Sequence, residues 1–169
     1  MRKCYFSTIT VNKWISIFQD YPEANEIIVE SLDYLNKNGW ATIYAFIIMR
    51  DHLHIAWSMN GDRTVDEVVN SFKKFTGSRI VSLLKNLDLE YLEFYFISDR
   101  KDRQFKFWKL NANNFKIQHI DILREKIYYL HYNPLKGNYR VCEKPEDYIF
   151  SSAMSYKQNT PIFEFLTLV

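Results

Sequence analysis

The chain has 169 residues, of which 47% are hydrophobic and 17% aromatic, with 4 glycines and 4 prolines. This composition excludes an intrinsically disordered protein and is sufficient for one domain with a sizeable core. No apolar run approaches the roughly 20 residues of a membrane-spanning helix, and two distant cysteines give no disulfide framework. We expect a cytoplasmic protein with no membrane partner, because the N-terminus lacks a signal-peptide core. The net charge of +2 does not by itself indicate a nucleic-acid partner.

The first half of the chain predicts strands and helices in alternation. Its elements are a strand at 4–11, a helix after Asp20, strands at about 40–48 and 52–58, and a helix from Thr64 to about Asn86. Both helices are expected to begin with capping boxes, because Glu23 follows Asp20 and Glu67 follows Thr64 at the required spacing. The apolar residues of each helix then recur at helical spacing.

The second half is predicted to continue the same α+β pattern. Its elements are strands at Tyr91–Ile97 and Gln104–Trp108, a loop at Asn111–Asn114, a helix from about Ile117 to Asn133, a short helix at Ser151–Tyr156 and an irregular tail at about 157–169. The order of elements predicts a single domain, residues 1–169, with a ferredoxin-like or RRM-like antiparallel sheet and helices packed on one face.

A histidine pair opens the second strand of a predicted hairpin. His52 and His54 are two residues apart, so both imidazoles leave the sheet on the same side. Such a pair can hold a metal ion on a rigid element. Alone it is also compatible with two surface or partly buried histidines. A zinc site would need further ligands, and the chain has neither HExxH nor CxxC.

The helix predicted before Pro134 carries a second group of polar side chains. Its apolar stripe places Tyr129 roughly 140° from the stripe centre, so Tyr129 is not expected in the core. Asn133 lies four residues further along the same face. A phenolate is a usable nucleophile toward phosphorus when a cation offsets the phosphodiester charge. The carboxamide oxygen of Asn133 could join the two imidazoles as a third ligand, and this mixed donor set would suit Mg²⁺ or Mn²⁺.

Basic residues gather in two parts of the chain. A locally basic face on a nearly neutral protein can follow a phosphate backbone, although it can equally be an ordinary solvated surface. The two groups are Lys73, Lys74 and Arg79, and then Arg100, Lys101, Arg103, Lys106 and Lys109.

Several of these stretches together resemble a known family. Residues 49–55, MRDHLHI, resemble the MPNHVHLL segment of the IS200-like single-tyrosine transposases, which belong to the HUH endonucleases. Residues 129–137, YLHYNPLKG, are similar to the YIHxNPVKAG helix end of the REP-associated tyrosine transposases. The FKKFT, QFW and EKPEDYxYSSA segments of that family have counterparts at 72–76, 107–108 and 143–153.

This resemblance implies an IS200-like transposase fold and a specific activity. The family cleaves single-stranded DNA beside hairpins through a 5′-phosphotyrosine intermediate, releases a 3′-hydroxyl, and rejoins strands by reversal. Tyr129 would be the nucleophile, and His52, His54 and Asn133 would bind a divalent metal, Mg²⁺ or Mn²⁺. The partner would be single-stranded or hairpin DNA, and relatives act as monomers or homodimers. The DNA-binding residues would be Lys73, Lys74, Arg79, Arg100, Lys101, Arg103, Lys106 and Trp108, with Trp108, Phe105 or Phe107 available to stack on bases.

The chain departs from the family at Arg50-Asp51, where relatives carry Pro-Asn or Ser-Asn. Asp51 could orient a histidine or simply cap the turn. Two alternatives remain open beside active transposition. One is a non-catalytic, domesticated protein that binds hairpin DNA or RNA, and the other is a small metal hydrolase that does not act on nucleic acid.

Overall fold

The computed structural model of the chain describes residues 3–137 and 140–169. Its elements are β1 (Cys4–Thr10), α1 (Ile17–Asp20), α2 (Glu23–Lys37), β2 (Ala41–Met49), β3 (His52–Met59), α3 (Val65–Leu87), α4 (Leu89–Phe96), β4 (Asn113–Ile117), α5 (Ile120–His131) and α6 (Ala153–Gln158). Short 3₁₀ turns occur at Asn12–Trp14, Asn133–Leu135 and Pro145–Asp147. Within these described ranges, none of the helices has both the length and the apolar character needed to cross a bilayer.

The four strands form one antiparallel sheet in the order β2-β3-β1-β4. β3 is central in this sheet. Thr8 of β1 lies opposite His54 on one side of it, and Met49 of β2 pairs with His52 on the other. Residues 50–51 alone therefore form the turn of the β2–β3 hairpin. The predicted α+β class with an antiparallel sheet is confirmed.

Helices cover both faces of this sheet. Leu53, Ile55 and Trp57 alternate along β3 and pack into the large core with α2 and α3. His52 and His54 occupy the intervening positions and therefore face the opposite side. On that side a second cluster joins the sheet to α5, and it includes Ala45, Ile47, Ala56, Leu123, Ile127 and Leu130. The expectation that all helices lie on one face is thus corrected, since α5 packs on the face that carries the histidines.

The segment Tyr91–Ile97, predicted as a strand, is almost entirely helix α4. Asp88 caps this helix by accepting a hydrogen bond of 2.9 Å from the backbone N–H of Tyr91. Leu92 and Phe96 are both fully buried, and their spacing of four residues is that of one helix face. The density of aromatic residues suggested a strand, but the burial pattern follows the helical period.

The segment Asn111–Asn114, predicted as a loop, is partly strand. β4 begins at Asn113 and pairs with β1, with Cys4 opposite Ile117. A side-chain hydrogen bond of 2.7 Å from the Ser7 hydroxyl to Asn114 Oδ1 links the two strands. Asparagine has low strand propensity, and a tertiary contact overrides that local preference here.

The segment Gln104–Trp108, predicted as a strand, does not join the sheet ladder. It makes isolated bridges instead, between Phe105 and Ile97 and between Trp108 and Val11. The segment passes the C-terminal end of β1 and then runs alongside α3. This course brings a basic segment beside the helix that carries the other basic residues.

The helix starts follow the prediction in one case and differ in the other. At Thr64, the hydroxyl accepts a hydrogen bond of 3.2 Å from the Glu67 N–H, and the Glu67 carboxylate accepts one of 2.7 Å from the Thr64 N–H. This confirms the predicted capping box of α3. α2 begins after Pro22 without a side-chain cap. Asp20 instead lies in α1 and accepts a hydrogen bond of 2.8 Å from the Tyr91 hydroxyl, so the prediction that it caps α2 is wrong.

The tail after α6 docks along β2. Phe165 and Leu166 are buried, and Leu166 forms a parallel bridge with Ile43. The N–H of Thr167 donates a hydrogen bond of 2.9 Å to the Ile43 carbonyl. The tail thereby provides hydrogen-bond partners for part of the exposed edge of β2, an outer strand of the sheet.

Candidate active site and basic groove

The two histidines of β3 stand together beside the end of the hairpin. Their ring centroids are 4.8 Å apart, and the rings are inclined at 71°. His54 also stacks on Phe6 of the neighbouring strand, with centroids 5.1 Å apart. Alternation along a strand predicts that both imidazoles share one face, and the structure places them there.

A polar partner holds each imidazole through its Nδ1 atom. The Asp51 carboxylate lies 2.5 Å from His52 Nδ1, and the Thr8 hydroxyl lies 2.9 Å from His54 Nδ1. An ionised carboxylate can only accept, so His52 donates from Nδ1, and in the neutral imidazole Nε2 is the atom that carries the lone pair. Partners of this kind orient metal-binding imidazoles and increase their basicity. Asp51, one of the residues where the chain departs from the family, therefore orients a histidine.

The protonation states of Asp51 and His54 also suit metal binding. Burial tends to raise the pKa of Asp51, but the hydrogen bond from His52 and the charge of Arg50 outweigh it and hold that pKa below its ordinary value. Burial, together with the charges of His52 and two lysines, lowers the pKa of His54 to about 3. His54 is therefore neutral at physiological pH, which is the form that binds a metal.

Tyr129 lies on α5, across from the histidines. Its ring centroid is 5.9 Å from that of His54 and 6.0 Å from that of Phe6, and the side chain remains 43% exposed. The Lys136 ammonium lies 4.1 Å from the ring centroid, and that of Lys126 lies 5.8 Å away. The helical period correctly predicts that Tyr129 is outside the core, and the fold brings it next to the histidine pair.

Asn133 follows directly after this helix, in the 3₁₀ turn. Its Nδ2 donates a hydrogen bond of 3.2 Å to the Tyr129 carbonyl. The amide oxygen Oδ1 is therefore the atom that could coordinate a cation. His52 and Asn133 line the same cleft, about 830 Å³ in volume. No group of three His, Cys, Asp or Glu side chains suited to a metal occurs within residues 3–137 and 140–169. His52, His54 and Asn133 are instead the side chains at this place that could hold a divalent cation.

His131 anchors the helix that carries Tyr129. It is buried, and its Nε2 lies 2.7 Å from the Ser152 hydroxyl. Ser152 in turn accepts a hydrogen bond of 3.0 Å from the N–H of Phe46 in β2. The contact joins α5 to the sheet one turn from the nucleophile candidate.

The buried His131 should make stability depend on pH. Burial lowers its pKa from 6.5 to about 4. The unfolded chain therefore binds a proton between these values that the folded chain does not. The contribution of this group to the free energy of unfolding is complete above pH 6.5 and falls by about 3 kcal/mol as the pH drops toward 4. Urea unfolding at several pH values should show a weaker pH dependence for His131→Gln, whereas the exposed-site variant His119→Gln should follow the wild type. Equal dependence for all three proteins would contradict this account.

Six basic side chains line a groove of about 460 Å³ between α3 and the segment after α4. Gly77 forms part of its wall, where an added Cβ would lie 3.3 Å from the Trp108 ring, so this segment packs closely on the helix. The six residues, hereafter the basic groove, are Lys73, Lys74, Lys85, Arg103, Lys106 and Lys109. Four of them are among the predicted DNA-binding residues. Lys109 belongs to the same basic segment but was not among them. Lys85 was missed, although it lies eleven residues after Lys74, which is close to three helical turns.

The other three predicted basic residues do not line the groove. Arg79 lies on another side of α3 and pairs with Glu30 at 2.6 Å. Arg100 pairs with Asp102 at 2.8 and 3.0 Å, and Lys101 is exposed on the same turn.

The aromatic side chains proposed for base stacking are also differently placed. Trp108 is 6% exposed, and its indole N–H donates a hydrogen bond of 3.0 Å to Thr76. Phe107 is likewise buried. The prediction that these two rings stack on bases is therefore corrected, because both belong to the core beneath the groove.

No known family profile and no curated protein matches the chain. Two solved structures resemble it. A REP-associated tyrosine transposase, bound in its structure to a REP hairpin, has a TM-score of 0.65 and 15% identity, over 95% of this chain and 84% of that one. A candidate transposase from Deinococcus radiodurans R1 has a TM-score of 0.49 and 11% identity, over 75% and 87%. The resemblance indicated by the sequence motifs is confirmed for the fold: the chain has the fold of a REP-associated tyrosine transposase.

Proposed function

We propose that the chain is a single-strand DNA transposase that recognises hairpin DNA and cleaves and rejoins strands through a 5′-phosphotyrosine. One observation carries the proposal most directly. Tyr129 of α5 and His54 of β3 come from distant parts of the chain, and their rings lie 5.9 Å apart. The hairpin bound by the structural neighbour supports the same class of substrate.

The reaction is a transesterification at phosphorus. The Tyr129 oxygen forms a bond to the scissile phosphorus and gives its proton to solvent, while the bond from phosphorus to the 3′ oxygen breaks and that oxygen takes up a proton from solvent. The products are a 5′-phosphotyrosine and a strand that ends in a 3′-hydroxyl. Attack of a 3′-hydroxyl on the phosphotyrosine reverses the step and rejoins strands, and no nucleotide cofactor is needed because the covalent link preserves the bond energy.

The side chains around Tyr129 have separate tasks in this scheme. Lys136, whose ammonium lies 4.1 Å from the phenol ring centroid, offsets the negative charge that develops on the phenolic oxygen and the phosphate. Asp51 and Thr8 hold the imidazoles in position. A divalent cation held by His52, His54 and Asn133 would polarise the phosphate and stabilise the departing 3′ oxygen.

The basic groove supplies the binding surface for the hairpin. Its six cations face one channel, and such an arrangement follows a phosphate backbone irrespective of base sequence. The cleft at His52 and the groove are adjacent, since the ammonium of Lys109 in the groove lies 3.7 Å from the ring centroid of Trp14, which lines the cleft. A hairpin stem held in the groove can therefore present its single-stranded flank to Tyr129.

One lysine of the groove gives a quantitative test of this binding mode. Lys74→Ala should weaken hairpin binding and reduce the slope of log K against log salt by about 0.9, the contribution of one phosphate contact to duplex DNA. Arg79→Ala is the matched control, because Arg79 lies on the same helix but pairs with Glu30. Fluorescence anisotropy between about 50 and 200 mM salt measures both quantities. An unchanged slope for Lys74→Ala, or an equal change for Arg79→Ala, would contradict the assignment of the groove.

A single gel experiment tests the proposed function. A labelled hairpin oligonucleotide with single-stranded flanks is incubated with the protein in Mg²⁺, Mn²⁺ or EDTA, and the products are separated under denaturing conditions. We expect a shifted covalent protein–DNA band and a shortened strand with a free 3′-hydroxyl, both dependent on the divalent ion. Salt-sensitive binding without cleavage under any ion would instead indicate a non-catalytic hairpin-binding protein. Metal binding without affinity for oligonucleotides would indicate an unrelated metal hydrolase.

A further inference from the structure

An exposed tryptophan stands between the basic groove and the histidine pair. Trp14 follows β1 in the turn Asn12–Trp14 and is 56% exposed. Its ring centroid lies 6.5 Å from that of His52, with the two rings inclined at 77°. A large aromatic ring in contact with solvent, beside a candidate catalytic centre, has no packing role that explains its position.

The backbone holds this tryptophan in an uncommon conformation. Lys13 and Trp14 have φ values of 55° and 59°, in the left-handed region that non-glycine residues seldom adopt. Hydrogen bonds fix the turn, from the Asn12 N–H to the Phe107 carbonyl at 2.7 Å and from the Trp14 N–H to the Val11 carbonyl at 3.1 Å. Strained backbone that the surroundings hold in place is frequent at binding and catalytic sites.

The indole lies close to both the basic groove and the cleft at His52. Lys109 of the basic groove places its ammonium 3.7 Å from the ring centroid. The ring also lines the cleft that contains His52, Asn133, Lys136 and Arg140. Trp14 therefore offers an aromatic surface beside Lys109, in a cleft that also contains Lys136 and Arg140, at the point where the groove meets the cleft. Aromatic surface next to positive charge is the combination that binds single-stranded nucleic acid.

We propose that Trp14 is a stacking platform for one unpaired nucleobase, next to the phosphate that faces Tyr129. The platform rests on the proposed function for its substrate class, and it assigns to this chain a base-binding position that lies outside the basic groove. Lys109 neutralises the adjoining phosphate, while the indole accepts the face of any base. The stack would hold the flanking strand in line with the histidine pair.

Binding to base-free DNA tests the platform without knowledge of the cleavage position. The probes are an oligothymidylate and an oligomer of the same length made of abasic units, each measured by anisotropy with the Tyr129→Phe protein as a background that cannot cut. We expect Trp14→Ala to weaken oligothymidylate binding about tenfold, within the range for loss of one base stack, and to leave binding of the abasic oligomer unchanged. Trp14→Phe should restore most of the loss.

Trp40 provides a matched control for these variants. It is another tryptophan under a cation, with the Arg63 guanidinium 3.9 Å from the ring centroid, but it precedes β2 and lies at the other end of that strand from the hairpin turn. Trp40→Phe should behave like the unsubstituted protein with both probes. Equal weakening of both probes by Trp14→Ala, or none, would overturn the platform.

A crosslink gives an independent measurement on the protein with its tryptophan intact. Oligothymidylate with one 5-iododeoxyuridine is irradiated in the complex, and the modified residue is identified by mass spectrometry. A crosslink at Trp14 supports the platform, and crosslinks confined to other aromatic residues overturn it. Because these tests measure binding, they are separate from the gel for covalent product, so a failure of cleavage and a failure of stacking can be told apart.

Discussion

Tyr129→Phe should abolish the covalent protein–DNA product and leave hairpin binding intact. The substitution removes only the hydroxyl. The ring that contacts Phe6 and His54, and over which the Lys136 ammonium lies, is retained. Loss of an enzyme nucleophile reduces the rate by a factor on the order of 10⁶. A denaturing gel of radiolabelled hairpin measures the covalent product, and anisotropy measures binding.

The neighbouring tyrosine is a demanding control for this prediction. Tyr128 is on the same helix and is more exposed than Tyr129, but its ring stacks on that of Tyr132 with centroids 4.1 Å apart. Tyr128→Phe should therefore retain cleavage. Covalent product from Tyr129→Phe at the wild-type level, or its loss in Tyr128→Phe alone, would assign the nucleophile to a different residue.

The main strands and helices of this fold were predictable from residue periodicity. β1, the β2–β3 hairpin, α3 and α5 have local patterns that decide their type. α4 and β4 were missed because their local composition points the other way. Tyr91–Ile97 is rich in aromatic residues that favour strands, and Asn113 with Asn114 disfavours one. Tertiary contacts determine the structure of both segments. α4 forms because Leu92 and Phe96 are buried in the core, and β4 forms because it pairs with β1.

In the candidate site too, some features follow from local periodicity and others depend on tertiary contacts. The strand period places His52 and His54 on one side, and the helix period excludes Tyr129 from the core. Neither period predicts that α5 packs on the face with the histidines. That placement depends on how Leu123 and Ile127 pack against the sheet. Thr8, Lys136 and Trp14 carried no local signal because their importance lies in contacts with residues far along the chain.

Removal of the metal or of His52 should also cause a large loss of cleavage. EDTA should abolish cleavage, and His52→Ala should lower it by on the order of 10³-fold, since a Lewis acid contributes several kcal/mol at the transition state. Circular dichroism should remain unchanged in His52→Ala, because the side chain lies at the edge of a cleft rather than in the core. Undiminished cleavage in EDTA would refute the metal role.

Asp51→Asn separates orientation from ligation at this pair. Asp51 holds His52 Nδ1 at 2.5 Å and supplies the negative charge that favours the correct tautomer. Its loss should reduce apparent metal affinity by about 10- to 100-fold, so that excess Mn²⁺ restores much of the cleavage. His52→Ala should not be restored in this way, because it lacks the ligand itself. Asp62→Asn, at an exposed turn, should require no more metal than the wild type. A metal titration of cleavage therefore distinguishes a ligand from the residue that orients it, and an unchanged titration for Asp51→Asn would leave Asp51 as only a turn residue.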